Sequence, residues 1–290
     1  MQKYSYFCAV KNLNDIIHPI AAELQQFEVF FEQTLKAETA PMNTIMQYVH
    51  ETKGKRLRPV LVLLSAKLFG EPNERTLRAA TFVEMVHSAT LIHDDVVDDS
   101  DLRRDNASVK AHFGNLSAVL AGDYLLAKAM QLIATPKDFD ILNEMLRTTV
   151  AMSEGELMQN NVGLSYHGSR NNDKPQARLP LYDSPTNQYL DIITRKTALL
   201  MRSCCAIGAM SVDASEEQIT KIADFGLHFG QLFQMRDDIL DADNAENVKF
   251  AKEFLPIYQQ ETLKKLEVFP NNEILDALKD LTVYCAKRNL

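Results

Sequence analysis

Asp94, Asp95, Asp98, Asp99 and Asp101 place five carboxylates within eight positions, closed by Arg103 and Arg104, after an apolar helical run that begins near Leu77. On a continuous helix Asp94 and Asp98 are one turn apart and Asp95 and Asp98 three residues apart, so all three fall on or beside one face. Like charges at that spacing repel by roughly 0.2–0.5 kcal/mol per pair, and acidic groups in the last turns oppose the helix dipole by a similar amount. A bound cation removes both penalties. The same Asp-Asp-x-x-Asp spacing recurs at Asp237, Asp238 and Asp241, after a second apolar run from Ile219 to Leu232. Either cluster alone reads as a solvated acidic face. Two copies without polar flanks read instead as facing clusters across a cavity, with hard oxygen ligands suited to Mg²⁺ shared with substrate phosphates. A calcium loop is excluded, because apolar residues stand where its glycine turn belongs.

Cations form a second set. Lys53-Gly54-Lys55-Arg56-Leu57-Arg58-Pro59 carries four in six residues and breaks the helical pattern. By itself it is a solvated turn; beside phosphates it is an anion clamp. Glu84 and His87 have the Glu-x-x-His spacing of di-iron bundles, but no second copy exists. His87 is two turns before Asp94 on nearly the same face, and alone it reads as a core histidine.

The elements that must carry these residues are helical. Apolar periodicity predicts helices over Leu13–Lys36, Met42–Glu51, Val60–Phe69, Thr76–Asp98, Leu116–Ile133, Phe139–Gln159, Tyr189–Met210, Ile219–Asp241, Ala245–Phe269 and Ile274–Arg288. Residues 160–187, rich in Asn, Gly, Pro and Ser, read as a long loop. No stretch alternates like a strand, so the fold expected is all-α, one domain over residues 1–290. With 290 residues, 46% hydrophobic, 24% charged and a net charge of -8, the chain is an ordinary globular sequence ill suited to nucleic acid. Cys8, Cys204, Cys205 and Cys285 show no metal or redox spacing and read as buried thiols in a reducing compartment. Met1–Val10 lacks a cleavage site, and no apolar run is expected to reach the ~18–20 residues that span a bilayer. A soluble, cytoplasmic protein is expected, able to touch a membrane surface when product leaves.

In order along the chain, Gly54-Lys55-Arg56-Leu57-Arg58-Pro59, the first aspartate cluster with Arg103-Arg104, Phe113-Gly114-Asn115, Ala121-Gly122-Asp123-Tyr124, Gly155-Glu156-Leu157-Met158-Gln159, Lys196-Thr197-Ala198 and Phe233-Gln234 before the second cluster resemble the trans-isoprenyl diphosphate synthases, the polyprenyl synthetase family. That resemblance spans about Lys53 to Asp241. It implies an antiparallel helical bundle around a deep central cavity, usually a homodimer. It assigns Asp94, Asp95, Asp98, Asp237, Asp238 and Asp241 to three Mg²⁺ ions on the diphosphate of an allylic substrate, farnesyl or geranyl diphosphate. Arg103, Lys196, Thr197 and Gln234 are assigned to the same substrate; Lys55, Arg58, His87 and Arg104 to the diphosphate of isopentenyl diphosphate. The implied reaction ionises the allylic carbon–oxygen bond, condenses the cation with the isopentenyl double bond, and loses a proton to the departing diphosphate. Catalysis then rests on fixed charge in a dry site. The wall of the product tunnel is implied at Ala89, with Val86, Met85 and Phe82 deeper; alanine at 89 leaves it open, pointing to a hexaprenyl to octaprenyl product.

The family's Gly-Lys-rich loop and Gly-Lys-x-Thr-Leu-Pro segment are missing after Asp241, where Ala242–Asn247 leads directly into a terminal helical region, and only one glycine precedes Lys55. A weak homologue serving as a partner subunit is therefore the alternative. Six clustered aspartates argue against it. A terpene cyclase is disfavoured because it has no need of a clamp at Lys55, Arg58 and His87.

Overall fold

Asn73 caps the longest segment of the bundle's centre: its side chain accepts from the backbone of Arg75 and Thr76, while the Thr76 hydroxyl accepts from the Asn73 N–H. This capping box starts a helix that runs to Val97. Ser215 and Gln218 form the same box at the start of the helix ending at Asp241. The computed structural model describes residues 11–52, 54–160, 185–242 and 244–288. The expectations for Met1–Val10, Cys8 and Lys53, and for most of the long loop, lie outside these residues.

The helices are α1 (Leu13–Ile17), α2 (Ala21–Leu35), α3 (Ala40–Glu51), α4 (Leu57–Phe69), α5 (Glu74–Val97), α6 (Val109–Phe113), α7 (Asn115–Ala134), α8 (Phe139–Asn160), α9 (Pro185–Ile193), α10 (Leu199–Met210), α11 (Glu216–Asp241), α12 (Ala245–Leu266) and α13 (Glu273–Lys287). The fold is all-α. α4 is buried on every side from Pro59 to Ala66, as expected of an apolar helix at the centre of a bundle. It packs between α5 and α10, α11 lies against α10 and α12, and α7 against α5. One core gathers Phe27, Phe31, Leu61, Leu64, Phe82, Met85, Phe225 and Phe229. Each such side chain, fully buried, contributes about 1.5–3 kcal/mol. α1 packs on α13, and Lys11 pairs with Asp280 at 2.8 Å, so the two ends of the described chain meet.

Several expectations are corrected. The first predicted helix is broken at His18-Pro19-Ile20 into a 3-10 turn, because proline removes a donor inside the pattern. α4 begins at Leu57, so Arg58 and Pro59 lie in its first turn, where proline is tolerated. A two-residue antiparallel ladder pairs Leu102 with Ala107 and Arg103 with Asn106; Arg104 and Asp105, both at positive φ, make its turn. Residues 185–187 of the expected loop are helical. The helix predicted over Tyr189–Met210 is interrupted by a π-helical stretch, Thr194–Ala198. α7 is long and apolar enough, by length and composition, to cross a membrane, contrary to expectation. Here its Ala118, Ala121, Leu125, Ala129 and Ile133 face the core.

Candidate active site

Arg103 is folded back by the hairpin onto the helix it follows. Its Nε donates to Asp95 Oδ1 at 3.0 Å and its Nη2 to the same oxygen. Asp95 is buried beneath that pair, whereas Asp94 is half-buried and Asp98, the C-cap, is exposed. The three carboxylates therefore do not share one open face. Asp99 and Asp101 both pair with Lys110, which takes them out of the cluster.

Asp94 faces across the bundle. Burial, then the neighbouring Glu156 carboxylate, pushes its carboxyl up to about 6, against the pull of Lys196. Lys196 itself pairs with Glu156 at 3.1 Å. Lys196 sits in the π-helical turn, a local widening of the helix often found at functional sites. On the opposite side, burial raises Asp238, and Lys196 lowers it there too. One ammonium thus stands in the field of both clusters.

The second cluster is built on the last two turns of α11. Gln234 Nε2 donates to Asp238 Oδ1 at 2.9 Å, Tyr189 donates its hydroxyl to Oδ2 at 2.7 Å, and the Thr197 hydroxyl donates to Gln234 Oε1 at 2.6 Å. Asp237 pairs with Arg288, whose guanidinium stacks 4.1 Å from the Phe233 ring centroid. Burial nevertheless pushes the Asp237 carboxyl up to about 6, with Asp241 and Asp238 adding to the rise. Asp241 ends the helix, exposed.

A cationic pocket adjoins the first cluster and shares Asp95 and Arg103 with it. Arg56, Glu84, His87, Asp95, Arg103 and Arg104 line a cleft. Arg104 lies over Gly54: a Cβ at that position would stand 2.3 Å from the guanidinium carbon, so a larger residue there would push the end of the arginine aside. The Nε of Arg58 and Nε2 of His87 are buried without a hydrogen-bond partner among the described residues. Burial, then Arg58 and Arg104, holds His87 well below its usual range, so the imidazole is neutral. Lys55 is exposed. Cys205 and Cys285 are pushed up to about 12 by burial, and Cys204 also upward, leaving all three as inert thiols.

Ala89, Val86, Met85 and Phe82 are at most 2% exposed and belong to the core. Glu156, Tyr189, Arg56 and Arg288 were not assigned roles by the sequence. Glu156 and Arg56 lay inside motifs; Tyr189 and Arg288 carry no spacing signal that would separate them from surface or core residues.

Among the described residues, no three His, Cys, Asp or Glu side chains converge closely enough to hold a metal ion alone. The donor set still fits Mg²⁺, which is usually bound through one or two carboxylates with substrate phosphates completing its shell. Asp94 and Asp98 on one side and Asp237 and Asp238 on the other supply hard oxygens, and the raised carboxyls are those a cation would discharge.

A family model described as polyprenyl synthetase matches residues 39–255. The heptaprenyl diphosphate synthase component 2 of Geobacillus stearothermophilus is 34% identical over 230 residues, covering 78% of this chain and 66% of that protein. The octaprenyl diphosphate synthase of Haemophilus influenzae is 36% identical over 194 residues, covering 67% and 54%. This chain thus spans about half to two thirds of the length of those relatives. A solved polyprenyl synthase from Caulobacter crescentus, complexed with calcium and isoprenyl diphosphate, superposes with a TM-score of 0.81 at 23% identity, over 98% of this chain and 100% of that one.

Proposed function

This chain belongs to the polyprenyl synthetase family, and on that premise we propose that it is a prenyltransferase condensing isopentenyl diphosphate with an allylic diphosphate into an all-trans polyprenyl diphosphate. The observation that carries this reading is the position of Lys196, in the field of both Asp94 and Asp238. It marks the gap between the clusters as the seat of a polyanion. The adjoining cleft, with His87 and Arg104, supplies a second anion seat. Two seats match two diphosphates.

In this reading Asp94, Asp95, Asp98, Asp237, Asp238 and Asp241 hold Mg²⁺, three ions in all, which when bound neutralise charge growing on the leaving diphosphate. Lys196 and Arg103 place fixed positive charge at the same leaving group, while Thr197 and Gln234 orient the allylic end. Arg58, Arg104 and Lys55 seat the isopentenyl diphosphate, with neutral His87 donating or accepting one hydrogen bond. The apolar core below α5 excludes water from the allylic cation, and the departing diphosphate takes the final proton. Ala89, Val86 and Phe82 form the wall that opens as the chain grows, and we place the product between hexaprenyl and octaprenyl. The relative names in that range, heptaprenyl and octaprenyl, support this length.

The protein works as one domain in the cytoplasm and as a homodimer, a state supported by exposed Leu116 and Leu120 on α7 and Val150 and Leu157 on α8. The Geobacillus relative is named component 2 of its enzyme, so a second chain is the partner to try if the protein alone is inactive. Incubation with farnesyl diphosphate, labelled isopentenyl diphosphate and Mg²⁺, with products resolved by length, tests the proposal. Products longer by whole isoprene units support it; no incorporation, with or without a second subunit, rejects it.

A further inference from the structure

Arg56 stands between Lys55 and Arg58 in the basic turn, its side chain held by carboxylates of both α2 and α5. It is 8% exposed. Its Nε donates to Glu28 on α2 at 3.1 Å and its Nη1 to Glu84 on α5 at 2.6 Å. Its guanidinium lies 4.5 Å from the Phe31 ring centroid and 6.0 Å from that of Phe27. Arginine's planar fork can satisfy two carboxylates and an aromatic face at once, which lysine cannot. The backbone at Arg56 is left-handed, φ 53°, a conformation a long side chain rarely adopts unless its surroundings enforce it. Glu84 is itself 4% exposed and lies one helical turn before His87 on the same side of α5. Arg56, Glu84, His87 and Arg104 line the same cleft.

We propose that Arg56 is a positioning residue for the isopentenyl diphosphate pocket: its buried bridge to Glu84 locks the left-handed turn that presents Lys55 and Arg58 and ties that turn to the stretch of α5 carrying His87. This rests on the pocket assignment made above. The Glu-x-x-His pair then has a function without a metal: the Glu anchors the basic turn and the His faces the ligand. Arg56 touches no substrate in this scheme; it acts through its neighbours.

The test compares R56Q, E84Q, the R56Q/E84Q double variant and R56K in the full chain. Loss of the bridge should raise KM for isopentenyl diphosphate about tenfold, as removal of an orienting partner commonly does, with KM for the allylic diphosphate changed less than about threefold. The double variant should be no worse than the worse single, since both remove one bridge. A merely structural role would raise both KM values together or lower only the melting temperature, and either result in a folded variant overturns the proposal. If R56Q does not fold, R56K carries the test, with a smaller rise confined to isopentenyl diphosphate. If the wild type shows no turnover, the functional reading fails by itself. Calorimetry with inorganic diphosphate and no metal then decides the present point: wild-type binding that is weakened in R56K supports it, and binding that is absent or unaltered overturns it.

Discussion

Tyr189 and Asp238 are joined by a hydroxyl-to-carboxylate hydrogen bond of 2.7 Å that ties α9 to the second aspartate cluster. With Gln234 on the other oxygen, both lone-pair sides of Asp238 are oriented before any ligand arrives. Tyr189→Phe removes one of the two. Affinity for Mg²⁺ in the presence of inorganic diphosphate should fall roughly tenfold with little change in melting temperature, the usual cost of losing an outer-shell partner; titration calorimetry measures it.

Asp94 is a carboxylate kept in a place that suits a neutral group. Asp94→Asn should therefore abolish turnover while raising the melting temperature of the metal-free protein by a few degrees, the shift expected from ~1 kcal/mol. Scanning calorimetry together with the product assay checks both halves. Asp238→Ala should also abolish turnover with the fold retained.

Asp94 and Asp237 both titrate near 6. Carboxyls raised above their unfolded value add stability that is complete below about pH 4 and lost as pH rises through 6, so in the metal-free protein both weigh against folding at pH 7. Metal binds the ionised form. Apparent Mg²⁺ affinity should consequently fall as pH drops below 6, with proton release per binding event growing between pH 7 and 5.5. Calorimetry in buffers of differing ionisation enthalpy reads the proton count.

Ala89 is fully buried. Ala89→Phe should shorten the product distribution and, by overpacking, destabilise the fold by about 1–3 kcal/mol. Product lengths on reversed-phase chromatography and urea unfolding give the two numbers; an unaltered distribution would move the tunnel wall elsewhere.

Leu120 on α7 and Val150 on α8 are exposed apolar side chains. Replacing both with glutamate should shift the molecular mass in solution toward the monomer, as seen by light scattering. An unchanged mass would put the interface on another face.

Helix positions and both aspartate clusters were legible because period and charge spacing are local properties. Pairing was not. That Asp95 belongs to Arg103, Asp99 and Asp101 to Lys110, and Asp237 to Arg288 depends on where a two-residue hairpin and a distant helix bring their cations. The hairpin was missed because two residues cannot show alternation, and its turn is made by Arg104 and Asp105 rather than glycine. The π-helical turn at Lys196 was missed because one extra residue barely disturbs an apolar period. Arg56 had no role of its own within the basic run, since a row of cations does not reveal which of them is held by buried carboxylates.

The meeting of α1 with α13 bears on how the chain is made. A contact between Lys11 and Asp280 closes a loop of nearly the whole chain, so during synthesis α1 emerges from the ribosome long before its partner exists. Until α13 follows, the inner faces of α4 and α11 that it covers remain open, and nascent chains must be shielded through that interval. Long-range closure of this kind slows folding. α13 also ends next to Arg288, the partner of Asp237, so its arrival brings the second cluster its cation.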